Sequence, residues 1–156
     1  MKLDKNLREF IALLNSRRVE YLVVGGHAVA FHGYPRFTGD IDFFVAVSPA
    51  TAEKLINVLD AFGFGGIGIT KEDFLQSGSV VQLGFPPNRI DLVTGIEAVS
   101  FGEAWDTRIA AELDGLPVHF IARDLLVKNK RAAGRTKDIA DAEAIEGMDS
   151  TPSASP

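Results

Sequence analysis

The 156-residue chain contains no cysteine, which excludes disulfides and thiolate metal sites. No apolar run comes near the roughly 20 residues needed to span a bilayer. The opening stretch, MKLDKNLREF, mixes charges of both signs and lacks the apolar core of a secretory signal. A cytoplasmic protein with no membrane partner is therefore expected. Basic charge is scarce: the net charge of −5 argues against a broad nucleic-acid-binding surface. No G-x-S-x-G elbow is present, so a Ser-His-Asp hydrolase lacks support. There are three histidines. His27 and His32 are five residues apart and do not share the i, i+4 face of a helical zinc pair, while His119 belongs to a distant segment. A zinc site is not expected.

What is present suits a globular protein, with 46% apolar residues and a length typical of one domain. The basic residues that do occur are concentrated. Residues 123–137 carry Arg123, Lys128, Lys130, Arg131, Arg135 and Lys137 against Asp124 alone, on a chain that is otherwise strongly acidic. Such a segment is either a solvated helix face or a surface turned to an anionic ligand.

Leu3, Leu7, Phe10, Ile11 and Leu14 recur at helical spacing and predict a helix over 3–16. VEYLVVG, 19–25, reads as a buried strand ended by Gly25-Gly26, and HAVAFHG as a short helix closed by Gly33. DIDFFVAV, 40–47, is a second strand, followed at Ser48-Pro49 by a helix running to about residue 61. Strands over 79–85 and 89–94 flank Pro86-Pro87-Asn88. A hairpin turns at Asp114-Gly115. A helix over 124–133 stops at Gly134, and Thr136 is the expected N-cap of a last helix reaching residue 146. GFGGIG, 63–68, formally matches a dinucleotide fingerprint. It follows a helical pattern instead of a strand, so it reads as a helix stop and loop. The expected architecture is one α/β domain with a mixed sheet over 1–146 and a disordered tail over 147–156.

The informative stretch is VVGGHAVAFHGYPRFTGDIDFFV, 23–45. Asp40 and Asp42 are two apart in a strand, so they share a face while Ile41 packs on the other. Two close carboxylates repel, and a proton or a cation must relieve them. Hard cations such as Mg²⁺ take carboxylate and phosphate oxygens. Asp91, in the apolar strand NRIDLVT, is a third candidate. Three converging carboxylates have the composition of a two-metal site for phosphoryl transfer. Gly25-Gly26 at a strand-to-helix junction lets backbone N–H groups approach an anion. His27, next in sequence, can donate to a phosphate oxygen. Arg36 suits either neutralising charge on a leaving pyrophosphate or pairing with a carboxylate. Thr38 suits hydrogen bonding within the loop.

Gly25-Gly26, a spacer, then Asp40-Ile41-Asp42 in an apolar strand resembles the signature of the nucleotidyltransferase superfamily that includes DNA polymerase β, with Asp91 matching the third carboxylate. The block YLVVGGHAVAFHGYPRFTGDIDFFV, with the later KNKRAAGRTKDIADAEAI, is similar to small bacterial nucleotidyltransferases related to the AbiEii toxins; the likeness covers roughly 19–146. It implies an α/β (α+β) nucleotidyltransferase fold, a short mixed sheet with helices packed mainly on one side. It implies transfer of a nucleoside monophosphate from an NTP to an acceptor hydroxyl with loss of pyrophosphate. Asp40, Asp42 and Asp91 become the expected catalytic residues and Mg²⁺ ligands. Gly25, Gly26, His27, Arg36, Thr38, Lys130, Arg135 and Lys137 become the expected nucleotide-binding residues. The acceptor, whether an RNA 3′ end, a protein or a small molecule, is left open. So is a second reading: a nucleotide- or partner-binding module without turnover, paired with a cognate toxin or antitoxin. An antibiotic nucleotidyltransferase ranks lower, since no second domain is evident to build a drug pocket.

Overall fold

The computed structural model describes residues 2–35, 38–65 and 67–148. Its elements are α1 (Lys5–Ser16), β1 (Tyr21–Val24), α2 (Gly25–Phe31), β2 (Asp40–Val45), α3 (Pro49–Phe62), a 3₁₀ turn (Lys71–Phe74), β3 (Val80–Leu83), β4 (Arg89–Val93), α4 (Phe101–Asp106), β5 (Ile109–Leu113), β6 (Leu116–Phe120), α5 (Arg123–Ala133) and α6 (Thr136–Glu146). The strands form one six-stranded sheet in the order β3-β4-β2-β1-β6-β5. The sheet is mixed, as expected: β1 runs antiparallel to β2 and parallel to β6, and β2 runs parallel to β4.

Local chemistry accounts for most boundaries. Asp4 caps α1 by accepting from the N–H groups of Asn6 and Leu7, and Leu7, Phe10, Ile11 and Leu14 form its buried face. Ser48 caps α3 by accepting from Thr51 at 3.1 Å, and Gly63 ends it in the left-handed region at φ 97°. That is the helix stop expected at the start of GFGGIG. Asp114 and Gly115, both left-handed at φ 49° and 80°, turn the β5–β6 hairpin. Two elements were not anticipated. The 3₁₀ turn and α4 each begin with a capping box, Thr70/Asp73 and Ser100/Glu103.

Two boundaries differ from expectation. Gly25 and Gly26 form the first turn of α2 instead of a loop before it. The N-cap of α6 is Arg135, with Thr136 already helical. No capping side chain serves that end; Arg135 instead donates to Asp138. Gly147 and Met148 follow α6, and the remainder of the expected tail lies outside the described residues.

The pleat sorts β2 into two chemistries. Ile41, Phe43 and Val45 are buried, with Phe43 against Phe10 of α1 and Tyr21 of β1 at ring-centroid distances of 5.9 and 5.3 Å. Asp40, Asp42 and Phe44 alternate with them. Phe44 meets Phe101 of α4 edge-on. The apolar half of the strand thus anchors the two carboxylates on the opposite face, at the end of β2 where the chain enters the sheet.

Candidate active site

The register of three strands brings the aspartates together. Asp42 is paired with Val24, the last residue of β1, and with Asp91 of β4. Asp40, two residues earlier, is paired with Arg89. Asp40, Asp42 and Asp91 each offer an oxygen, and these atoms lie within 4.8 Å of one another. Asp91 is buried and the other two are half-buried. Asp91 therefore lies on the same side of the sheet as the Asp40–Asp42 pair, as a three-carboxylate site requires.

One cation already sits among them. Arg89 Nε donates to Asp91 Oδ1 at 2.8 Å, and its Nη2 lies 3.0 Å from both Asp91 Oδ2 and Asp40 Oδ2. Thr38 Oγ1 lies 3.0 Å from the Asp40 carbonyl oxygen and 3.1 Å from Asp40 Oδ1. Burial works to raise the Asp40 carboxyl, but contact with Asp91, the Thr38 hydroxyl and the Arg89 charge hold it below the usual range. Asp42 goes the other way. Burial, followed by the Asp40 and Asp91 charges, pushes it up to about 8. Without a metal, Asp42 is the member of the cluster that keeps a proton at neutral pH.

Gly25 is shaped by this arrangement. Its φ is +68°, and a Cβ built on it would lie 2.0 Å from Asp42 Oδ2. The glycine admits both the turn into α2 and the Asp42 carboxylate packed against it.

The cleft in front of the carboxylates, about 570 Å³, is lined by Gly25, Gly26, Thr38, Asp40, Asp42 and Asp91 on one side and by Lys130, Arg135 and Lys137 on the other. Nine of the expected site residues thus share one cleft. His27 lines an adjoining cavity of about 220 Å³, which shares Thr38, Asp40 and Arg89 with the cleft. Burial holds the His27 imidazole below its ordinary pKa against the pull of Asp40, so it is neutral at pH 7. Arg36 lies outside the described residues. Thr38 bonds within its own loop, as expected, through Asp40.

The basic segment differs from a row of free cations. Lys130 is buried, with its ammonium 3.5 Å from Asp138 and 3.2 Å from Asp141. Arg135 Nε donates to Asp138 at 2.6 Å while its side chain stays largely exposed. Burial raises Asp138, but Arg135 and Lys130 outweigh it and hold the carboxyl below its usual range. Lys130 therefore ties α5 to α6, and Arg135 and Lys137 present the accessible charge on this wall. Removing one partner of a buried ion pair strands the other, at a cost of about 3 kcal/mol or more. Lys130→Met should lower the urea unfolding free energy by about that amount. A loss under about 0.5 kcal/mol would show that the pair contributes little.

Arg89 was not among the residues singled out from sequence. Its signal was available: it precedes Asp91 by two, so the strand rule that pairs Asp40 with Asp42 places it on the same face.

No helix among the described residues is long and apolar enough to cross a membrane. No curated protein gives a significant match to the chain. Among solved structures, the fold is similar to the crystal structure of an antigenic nucleotidyltransferase-like protein from Paracoccidioides brasiliensis. The identity is 20% and the TM-score 0.54, over 93% of this chain and 77% of that one. At that identity the likeness concerns the fold alone. A family model described as "Nucleotidyltransferase of unknown function (DUF6036)" matches residues 1–150. With that match spanning nearly the whole sequence, the chain belongs to this nucleotidyltransferase family.

Proposed function

We propose that the protein is a Mg²⁺-dependent nucleotidyltransferase that moves a nucleoside monophosphate from an NTP to an acceptor hydroxyl, releasing pyrophosphate. The observation that carries this reading is the convergence of Asp40, Asp42 and Asp91 in one cleft with the Gly25-Gly26 turn. The donor set suits a hard divalent cation: three carboxylate oxygens at short range, with Asp42 held protonated only by its neighbours and its burial. When bound, Mg²⁺ would neutralise these carboxylates and the phosphate charge and lower the proton affinity of the acceptor hydroxyl.

The chain's own residues supply the rest. Asp40 and Asp42 would hold the cation, and Thr38 and Arg89 fix the Asp40 carboxylate. Asp91 completes the set, either as a ligand on the acceptor side or as the group that takes the hydroxyl proton. The backbone of Gly25 and Gly26, at the start of α2, receives the triphosphate. Neutral His27 donates to it from the adjoining cavity, and Arg36, four residues before Asp40 in the sequence, is assigned to neutralise charge on the leaving pyrophosphate. Arg135 and Lys137 meet the phosphate charge from the facing wall, while Lys130 holds that wall in place. In the transfer the acceptor oxygen bonds to the α-phosphorus, the bond from that phosphorus to the bridging oxygen breaks, and the electron pair leaves with pyrophosphate. The kinship to AbiEii-related enzymes and the cytoplasmic setting belong to this same reading.

Each α-³²P-labelled NTP, added with Mg²⁺ and the protein to total lysate, should label one class of molecule and release pyrophosphate. Fractionation into RNA, protein and small molecules identifies the acceptor. Tight NTP binding without pyrophosphate release would favour the alternative, a binding module of a toxin–antitoxin type pair.

A further inference from the structure

Asp40 and Asp42 on β2 face Arg89 and Asp91 on β4 in direct register, Asp40 with Arg89 and Asp42 with Asp91. The side chains at i and i+2 of each strand share a face, so the four form a square with three carboxyl corners and one cationic corner. The guanidinium is not a surface ornament. Its side chain is 27% exposed, and it reaches Asp91, 7% exposed, and Asp40, 26% exposed, through three hydrogen bonds of 2.8–3.0 Å. A two-pronged contact with Asp91 plus a bridge to Asp40 is the work usually given to a cation shared by two carboxylates.

We propose that Arg89 takes the place of one of two divalent ions, so that the nucleotide-free protein holds a single divalent cation and uses the guanidinium as its second positive centre. This rests on the nucleotidyltransferase reading above. Electrostatics favours it. Three carboxylates are neutralised by one guanidinium and one divalent ion together, whereas a second divalent ion would stand against a fixed positive charge at hydrogen-bond range of two of its ligands. Geometry favours it too. Arg89 already contacts both carboxylate oxygens of Asp91 and one of Asp40, which leaves fewer of them open to a second ion. Arg89 is thus a positioning residue that keeps Asp40 and Asp91 together and sets the metal count.

Mn²⁺ alone, titrated into the full-length protein without nucleotide and followed by the loss of the free-ion electron paramagnetic resonance signal, reads this directly. Wild type should bind one Mn²⁺ per chain. Arg89→Met should bind two, and Arg89→Lys, which keeps the charge, should stay at one. Circular dichroism verifies folding; should Arg89→Met fail to fold, Arg89→Gln is read in the same way. Two ions on wild type, or a folded neutral variant that still binds one, overturns the role of Arg89 and leaves the metal-dependent reading standing. A wild type that binds no Mn²⁺ overturns both.

Discussion

Asp42→Asn should leave the metal-free protein more stable than wild type at neutral pH while lowering nucleotidyl transfer by about 10³-fold or more. The stability gain follows from where the proton sits. In the unfolded chain Asp42 titrates near pH 4, as free aspartate does; in the metal-free fold it titrates at about 8. Between those values the folded state binds the extra proton, so stability falls as pH rises from about 4 to about 8. Asparagine carries no such loss. The advantage of the variant should therefore grow across that window by about 1.4 kcal/mol per pH unit, to about 5 kcal/mol at most, and level off above pH 8. Asp40, whose carboxyl is held low, acts in a different window: its contribution is present above about pH 4 and is lost as pH falls below that. Mg²⁺ should raise the melting temperature of wild type, with proton release seen as a dependence of binding heat on buffer ionisation, and should do neither for Asp42→Asn. Melts at pH 5, 7 and 8.5, with and without Mg²⁺, check this. A variant that loses stability at pH 8.5 would mark Asp42 as a structural residue.

Gly25→Ala should damage the site through Asp42 without unfolding the protein. A non-glycine residue at φ +68° costs about 1–2 kcal/mol. The new methyl would lie 2.0 Å from Asp42 Oδ2, so the carboxylate must swing away. A displacement of about 1 Å at a reacting centre can cost about 100-fold in rate. We expect transfer to fall by about that factor and Mg²⁺ stabilisation to shrink with it. Gly63→Ala is the matched control. Its φ is +97°, yet nothing lies within 4 Å of its Cβ position. It should show the backbone cost and full activity. Equal activity in both variants would mean that Gly25 serves the turn alone.

The parts of the site that sequence exposes are those governed by short-range rules. Asp40 and Asp42 share a face because a strand repeats every two residues, and the glycines mark a backbone position that admits no side chain. Asp91 stood out as a carboxylate in an apolar run. Arg89 obeys the same two-residue rule, but its meaning depends on β4 pairing with β2 so that Arg89 falls opposite Asp40. That register joins segments almost fifty residues apart and has no local signal. Lys130 shows the same limit. It lines the cleft, and the packing of α5 on α6 also buries it between Asp138 and Asp141, which its basic segment alone does not tell. The two aspartates three apart on α6 were the hint, since such spacing places them on one helix face. Helix α4 was too short for a periodic pattern to reveal, although Ser100 and Glu103 spelled its capping box. The site is thus a set of locally readable residues completed by two ion-pair networks that only tertiary pairing creates.

In the proposed reaction, cation and triphosphate meet at one place, the end of β2 and β4 beside the start of α2. A crystal of the protein grown with Mn²⁺ and a non-hydrolysable NTP, measured for anomalous scattering, tests it most directly. A manganese peak is expected among Asp40, Asp42 and Asp91, with the phosphates against Gly25 and Gly26 and within reach of Arg135 or Lys137. Manganese remote from the three aspartates, or a nucleotide bound away from the Gly25-Gly26 turn, would contradict it.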